Sequence, residues 1–206
     1  MNDYEYDVFV SYRQLPMWDK WTRHWFYDQL SIWLQPKVAQ PRIFFDKAAT
    51  ENGQSWPQHL QHAHARSKVL VPVLCRSYFD SQWCRYELTT MIERMRVLRA
   101  QGHADIRLVF PVVFDDGKDF DPEIRQLGPV ELHGYADPDI RKMTKAYRNC
   151  QSWMKEWSES VWQALDAVPA FDSCFETLAS ERFHRALAIT NAAQKTVPRF
   201  QLDELT

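Results

Sequence analysis

Glycine is scarce in this chain, five in 206 residues, and none falls in a GxGxxG or a GxxxxGK pattern followed by Ser or Thr. That excludes a glycine-rich cradle for phosphates. Cysteine is nearly as sparse: Cys75, Cys84, Cys150 and Cys174 form no CxxC pair and no zinc-site spacing. Free thiols in a reducing compartment are therefore expected. A surplus of either charge is also missing, since 25 Lys and Arg against 27 Asp and Glu leave a formal net charge of -2. Nothing electrostatic favours nucleic acid or an acidic membrane as the main partner. The longest apolar runs, "VLVPVLC" and "LVFPVVF", fall far short of the ~20 residues of a membrane-spanning helix. The opening "MNDYEYDVFV" is acidic, unlike the basic start of a signal peptide. A cytoplasmic chain is expected, and with no GxSxG a Ser-His-Asp hydrolase has no support.

What is present is a good core: 45% of residues are hydrophobic and 14% aromatic, enough for one domain with an appendage. Five short runs read as strands, over 7–12, 42–46, 68–74, 106–114 and 129–135. The first four are apolar almost without interruption, the pattern of parallel strands covered on both faces. Helical patterns lie between them. Trp18, Trp21, Trp25, Leu30, Trp33 and Leu34 form a stripe that Pro36 ends. Ser55 and Gln58 resemble a capping box opening a helix to about Arg66, and Ser81 can cap a helix to about Arg99.

After Pro138, residues Ile140, Met143, Tyr147, Cys150, Met154, Trp157, Val161, Leu165 and Val168 share one helical face. Pro169 interrupts the chain, and Ser173 with Glu176 resembles a further capping box before a helix carrying Phe175, Leu178, Ala179, Phe183 and Leu187. Strands alternating with helices predict an α/β fold, an open parallel five-stranded sheet with helices on both faces and a C-terminal helical extension.

One residue breaks its pattern. In "SQWCRYEL", Cys84, Leu88, Met91 and Met95 mark an apolar helix face, and Glu87 falls on it. In a flavodoxin-like sheet of order 2-1-3-4-5, ligands bind at the carboxyl ends of the first and third strands, where strand order reverses. The first strand ends in "SYRQ" and the third leads into the helix of Glu87, so this carboxylate is aimed at that crevice. The alternative is structural: Glu87 hydrogen-bonds a strand terminus or pairs with Arg13 or Arg85. The loop 47–54 is longer than most strand-to-helix connections and reads as a flap, with Asn52 and Gly53 turning inside it. His59, His62 and His64 are read as a solvated face, because only His59 and His62 share a helix face and no acid completes a site. Trp56 and Trp83 serve equally as pocket walls or as core.

The stretches "YDVFVSYR", "RIFFDKAATENGQSW", "ARSKVLVPVLCRSYFDSQWCRYEL" and "LVFPVVF" together resemble a TIR domain. The resemblance supports the strand order 2-1-3-4-5 and implies a TIR domain over 1–168 followed by a helical extension over 169–206. Many TIR domains cleave the nicotinamide–ribose bond of NAD+ with the glutamate of this motif, which falls on Glu87. The family's tryptophan falls on Trp83, its arginine after the first strand on Arg13, and the acid closing its second strand on Asp46. Tyr12, Ser55, Trp56 and Cys84 beside them complete the implied substrate-binding set. NAD+ enters as substrate, with no cofactor and no metal. Cys75 stands where a serine is common, and the flap departs from the usual arrangement of acidic and small residues.

The resemblance further implies a bacterial NAD-consuming enzyme of antiphage immunity, as in Thoeris systems. There such a protein makes an ADP-ribose-derived signal for a separate effector or works with a separate sensor. A non-catalytic TIR–TIR scaffold and a virulence factor mimicking host TIR domains are the alternatives. Self-association through TIR–TIR contacts is expected under each reading, and Trp153, Trp157 and Trp162 are candidates for such contacts or for core.

Overall fold

The structure, a computed structural model, describes residues 3–45, 56–114, 120, 122–135 and 144–195. An apolar run without alternation makes β1 (Tyr6–Tyr12) a strand buried on both faces. β1 lies between β2 (Ile43–Phe45) and β3 (Ser67–Leu74), parallel to both, with Val8 opposite Ile43 on one side and Val69 on the other. β4 (Val112–Val113) and β5 (Val130–Glu131) continue the sheet in the same sense, in the order β2-β1-β3-β4-β5. The order therefore reverses between β1 and β3, as expected.

Two helical layers enclose this sheet. On one face α1 (Pro16–Trp21), a π-helical turn (Thr22–Phe26), α2 (Tyr27–Leu34) and α6 (Lys145–Ala167) bury Trp21, Phe26, Leu30, Leu34, Met154 and Val161 against Val8, Val10 and Tyr12. The π turn explains the five-residue step from Trp25 to Leu30, because its extra residue shifts the stripe so that Phe26 also turns inward. On the other face α3 (Trp56–Ala65) and α4 (Gln82–Ala100) bury Leu60, Leu88, Met91 and Met95 against Phe9 and Leu70. α5 (Pro122–Gln126) adds Ile124 to that cluster. α7 (Cys174–Lys195) lies outside α3 and α4 and inserts Phe175 into the same cluster.

The structure corrects several sequence expectations. The fourth strand, expected over 106–114, pairs regularly only at Val112 and Val113, with an isolated bridge from Leu70 to Val109. Pro111 between them has no N–H to donate, so the ladder is interrupted there although the run stays buried. The fifth strand, expected to reach 135, ends at Glu131, and His133–Tyr135 form a 3-10 turn instead. The last helix is capped by Asp172, whose Oδ1 accepts from the Cys174 N–H at 2.8 Å, and not by Ser173. Trp157 is core, 5% exposed and stacked on Trp153 at 5.6 Å. The Ser55 cap, the loop 47–54, Ile140 and Met143 lie outside the described residues.

Candidate active site

Strand alternation sorts the residues at the end of β1. Val8, Val10 and Tyr12 point to the α1 side and Phe9 to the α4 side, so Ser11 also faces α4. α4 begins where Ser81, in extended conformation, accepts with its side chain from the Cys84 N–H. Glu87 then lies in the second turn of α4, 5% exposed, with Ser11 donating its hydroxyl to Oε2. Tyr78 completes the cluster from the 3-10 turn (Arg76–Tyr78) that follows β3. Its Oη lies 2.7 Å from Ser11 Oγ and donates to the Cys84 carbonyl at 3.1 Å. Because the Ser11 proton is directed to the carboxylate, the single phenol proton is shared between Ser11 Oγ and that carbonyl.

Burial and negative charge set the protonation of this cluster. Tyr78 is held well above the ordinary phenol range, first by burial and then by the neighbouring Cys84 and Glu87. Burial, followed by the Glu87 charge, likewise drives the Cys84 thiol far upward, with Ser81 and Arg13 opposing in part. A protonated thiol is no nucleophile. Cys84 instead donates weakly to the Tyr12 carbonyl at 3.6 Å and joins α4 to β1.

The expected site residues divide accordingly. Glu87, Cys84 and the main chain of Tyr12 come together. The side chain of Tyr12 points the other way, donating to Asp19 Oδ1 at 2.7 Å and stacking on Phe45 at 4.9 Å. Arg13 is half-buried, and its Nε has no hydrogen-bond partner among the described residues. Trp83 is half-buried with its ring 5.4 Å from Phe183 of α7. Asp46, Ser55 and the Trp56 side chain lie outside the described residues.

Three neighbours in the Glu87 cluster are not marked as such by the sequence. Ser11 could have been found from period-two alternation along β1, which sets it on the face of Phe9. Tyr78 has no such local signal. His64 corrects the expectation of a solvated histidine face: it is 2% exposed, and its Nε2 lies 2.9 Å from the Glu87 carbonyl oxygen. His59 and His62 are exposed as expected, and His62 meets an acid, Glu5, at 2.9 Å. Among the described residues no group of three His, Cys, Asp or Glu is placed to hold a metal. No described helix is long and apolar enough to cross a membrane.

Two hollows open at the opposite, amino-terminal edge of the sheet, of about 610 and 560 Å³. The arginines there are engaged: Arg96 with Glu93, Arg99 with the Ile106 carbonyl, and Arg107 with the carbonyls of Val109, Leu127 and Gly128. The buried carboxylate at the strand-order reversal is the better candidate site.

The chain matches the TIR domain family over residues 8–147. No curated protein matches it. Among solved structures it is similar to the TIR domains of the activated Roq1 resistosome directly recognizing the pathogen effector XopQ, at 22% identity over 90% of this chain and 99% of that one, with a TM-score of 0.35.

Proposed function

Because the chain belongs to the TIR domain family, we propose that it is an enzyme that breaks the nicotinamide–ribose bond of NAD+, with Glu87 as the catalytic carboxylate. The observation that carries this reading is the buried Glu87 carboxylate at the carboxyl edge between β1 and β3, oriented by the Ser11 hydroxyl. That edge is where open parallel sheets take ligands.

The chemistry needs little more. When the bond from C1′ to the pyridinium nitrogen breaks, the electron pair goes to nitrogen and nicotinamide leaves as a neutral molecule. No acid has to protonate it, so one carboxylate serves where ordinary glycosidases use two. The ribosyl carbon becomes oxocarbenium-like, and the Glu87 charge stabilises it in a site shielded from water. Water then adds to C1′ and releases a proton, giving ADP-ribose; an adenine nitrogen or another acceptor in place of water gives a cyclic or conjugated product. Arg13 supplies a charge-assisted donor for the pyrophosphate and Trp83 a wall for the nicotinamide or ribose, while Asp46, Ser55 and Trp56 are the further substrate-binding residues that the family resemblance implies. In the same reading the protein acts in the cytoplasm in antiphage signalling, self-associates through TIR–TIR contacts and works with a separate effector or sensor chain.

Purified protein incubated with NAD+, alone and with lysate of phage-infected cells, tests this by chromatography and mass spectrometry of the products. Nicotinamide release that falls on the order of 100- to 1000-fold in Glu87→Gln is expected. No release by folded wild-type protein under any condition would refute catalysis and favour the TIR–TIR scaffold.

A further inference from the structure

His64 is the penultimate residue of α3 and is buried against the α4 turn that carries Glu87. Its ring stands edge-on to Phe9 at 5.2 Å and tilted against Tyr86 at 5.5 Å. Nε2 lies 2.9 Å from the Glu87 carbonyl oxygen. A carbonyl only accepts, so Nε2 carries a hydrogen and donates it. Burial, helped by the Arg94 charge, pushes the imidazole down to about 3. The ring is neutral at working pH, and Nδ1 is left as a bare acceptor.

Nδ1 has no hydrogen-bond partner among the described residues, and neither do Thr90 Oγ1 and Arg94 Nε. All three side chains line one small cavity of about 10 Å³ closed by Ala65, Phe175, Leu178 and Ala179. That is about the space one water molecule needs. The chemistries are complementary. A water there donates one hydrogen to Nδ1, accepts from the Arg94 Nε–H and shares a hydrogen with the Thr90 hydroxyl, reaching the ~3 bonds usual for buried water. The terminal nitrogens of Arg94 are already committed, to the Ser67 carbonyl at 2.8 Å and to the Tyr4 hydroxyl.

We propose that His64 is a positioning residue for Glu87, fixed in its Nε2–H form by one buried water that it shares with Thr90 and Arg94. The positioning role rests on the catalytic reading of Glu87 given above. The Glu87 carbonyl belongs to the α4 ladder, so a second donor on it fixes the main chain from which the carboxylate projects toward Ser11. Holding a reacting group in place is worth far more in rate than in stability.

Two variants separate positioning from space-filling. His64→Gln carries an amide N–H about where Nε2 lies and still reaches the Glu87 carbonyl; His64→Asn is too short. Asn is expected to lower kcat for NAD+ cleavage on the order of 10- to 100-fold with KM little changed, while Gln stays within about 3-fold of wild type. Equal losses in both variants, or none in either, overturn the positioning role. Two readouts do not depend on activity. Nitrogen NMR should show His64 as the Nε2–H tautomer with a hydrogen-bonded Nδ1, and a high-resolution crystal structure should resolve one water among His64, Thr90 and Arg94. The Nδ1–H tautomer or a dry cavity overturns the water-held form. If wild-type protein releases no nicotinamide, the catalytic reading fails by itself, and the Glu87 carboxyl carbon resonance decides positioning: it should move in Asn and not in Gln, and the absence of that contrast refutes it.

Discussion

Ser11 donates its hydroxyl to the Glu87 carboxylate across 76 positions of sequence, tying the end of β1 to the second turn of α4. The same oxygen faces the Tyr78 phenol at 2.7 Å, so one serine connects the carboxylate to the turn after β3. Ser11→Ala removes a hydrogen bond to a charged group inside the fold and should lower stability by about 1.5–3 kcal/mol. The urea unfolding midpoint measures this, and nicotinamide release should fall in parallel because the carboxylate loses its orienting donor. A variant as stable and as active as wild type would contradict the link.

α7 is held to α4 by aromatic packing around Tyr86, whose hydroxyl donates to the Ala179 carbonyl at 3.2 Å, while Phe183 lies 3% exposed between Trp83 and Tyr86. Phe183→Ala should destabilise by about 3–5 kcal/mol through lost burial and the cavity left behind. Tyr86→Phe should cost only about 1 kcal/mol, the net worth of one hydrogen bond. Similar unfolding midpoints for Phe183→Ala and wild type would show that α7 does not contribute to the core.

The His64 imidazole titrates near 6.5 when unfolded and is pushed down to about 3 when folded. Its neutral burial therefore contributes fully above about 6.5, and that contribution is lost as pH falls toward 3. Wild-type stability should decline below about pH 6.5 with a slope of at most about 1.4 kcal/mol per pH unit from this group. Measured between about pH 7 and 4.5, above most carboxylate titrations, His64→Gln should flatten the decline. An unchanged slope would assign the effect to other groups.

Burial raises the Cys84 thiol far above its ordinary range and pushes Cys150 up to about 12, whereas Cys174 is exposed. Iodoacetamide at mildly alkaline pH should label Cys174 first in the folded protein, and Cys75, Cys84 and Cys150 only after denaturation. Peptide mass spectrometry reads this directly, and early labelling of Cys84 would show that its pocket opens.

Much of the fold was legible locally. The apolar runs of β1 and β3 announced strands covered on both faces, Ser81 announced the start of α4, and Glu87 was visible as an acid on an apolar helix face. The failures have separate causes. Pro111 looked like part of a continuous strand because hydrophobicity does not record a missing N–H. His64 looked solvated because its helix carries polar neighbours, while its burial comes from α4 and α7. Tyr12 looked like part of the crevice by its place in sequence, yet strand alternation turns its side chain to the opposite layer.

By itself the sequence determined the alternation of strands and helices, the cap of α4 and the inward setting of Glu87, because helical and strand periodicity act over a few residues. Only the tertiary structure decided what the carboxylate meets. Ser11 and His64 stand 76 and 23 positions from it and reach it through sheet register and helix packing, contacts that depend on how separate elements bury their surfaces against one another.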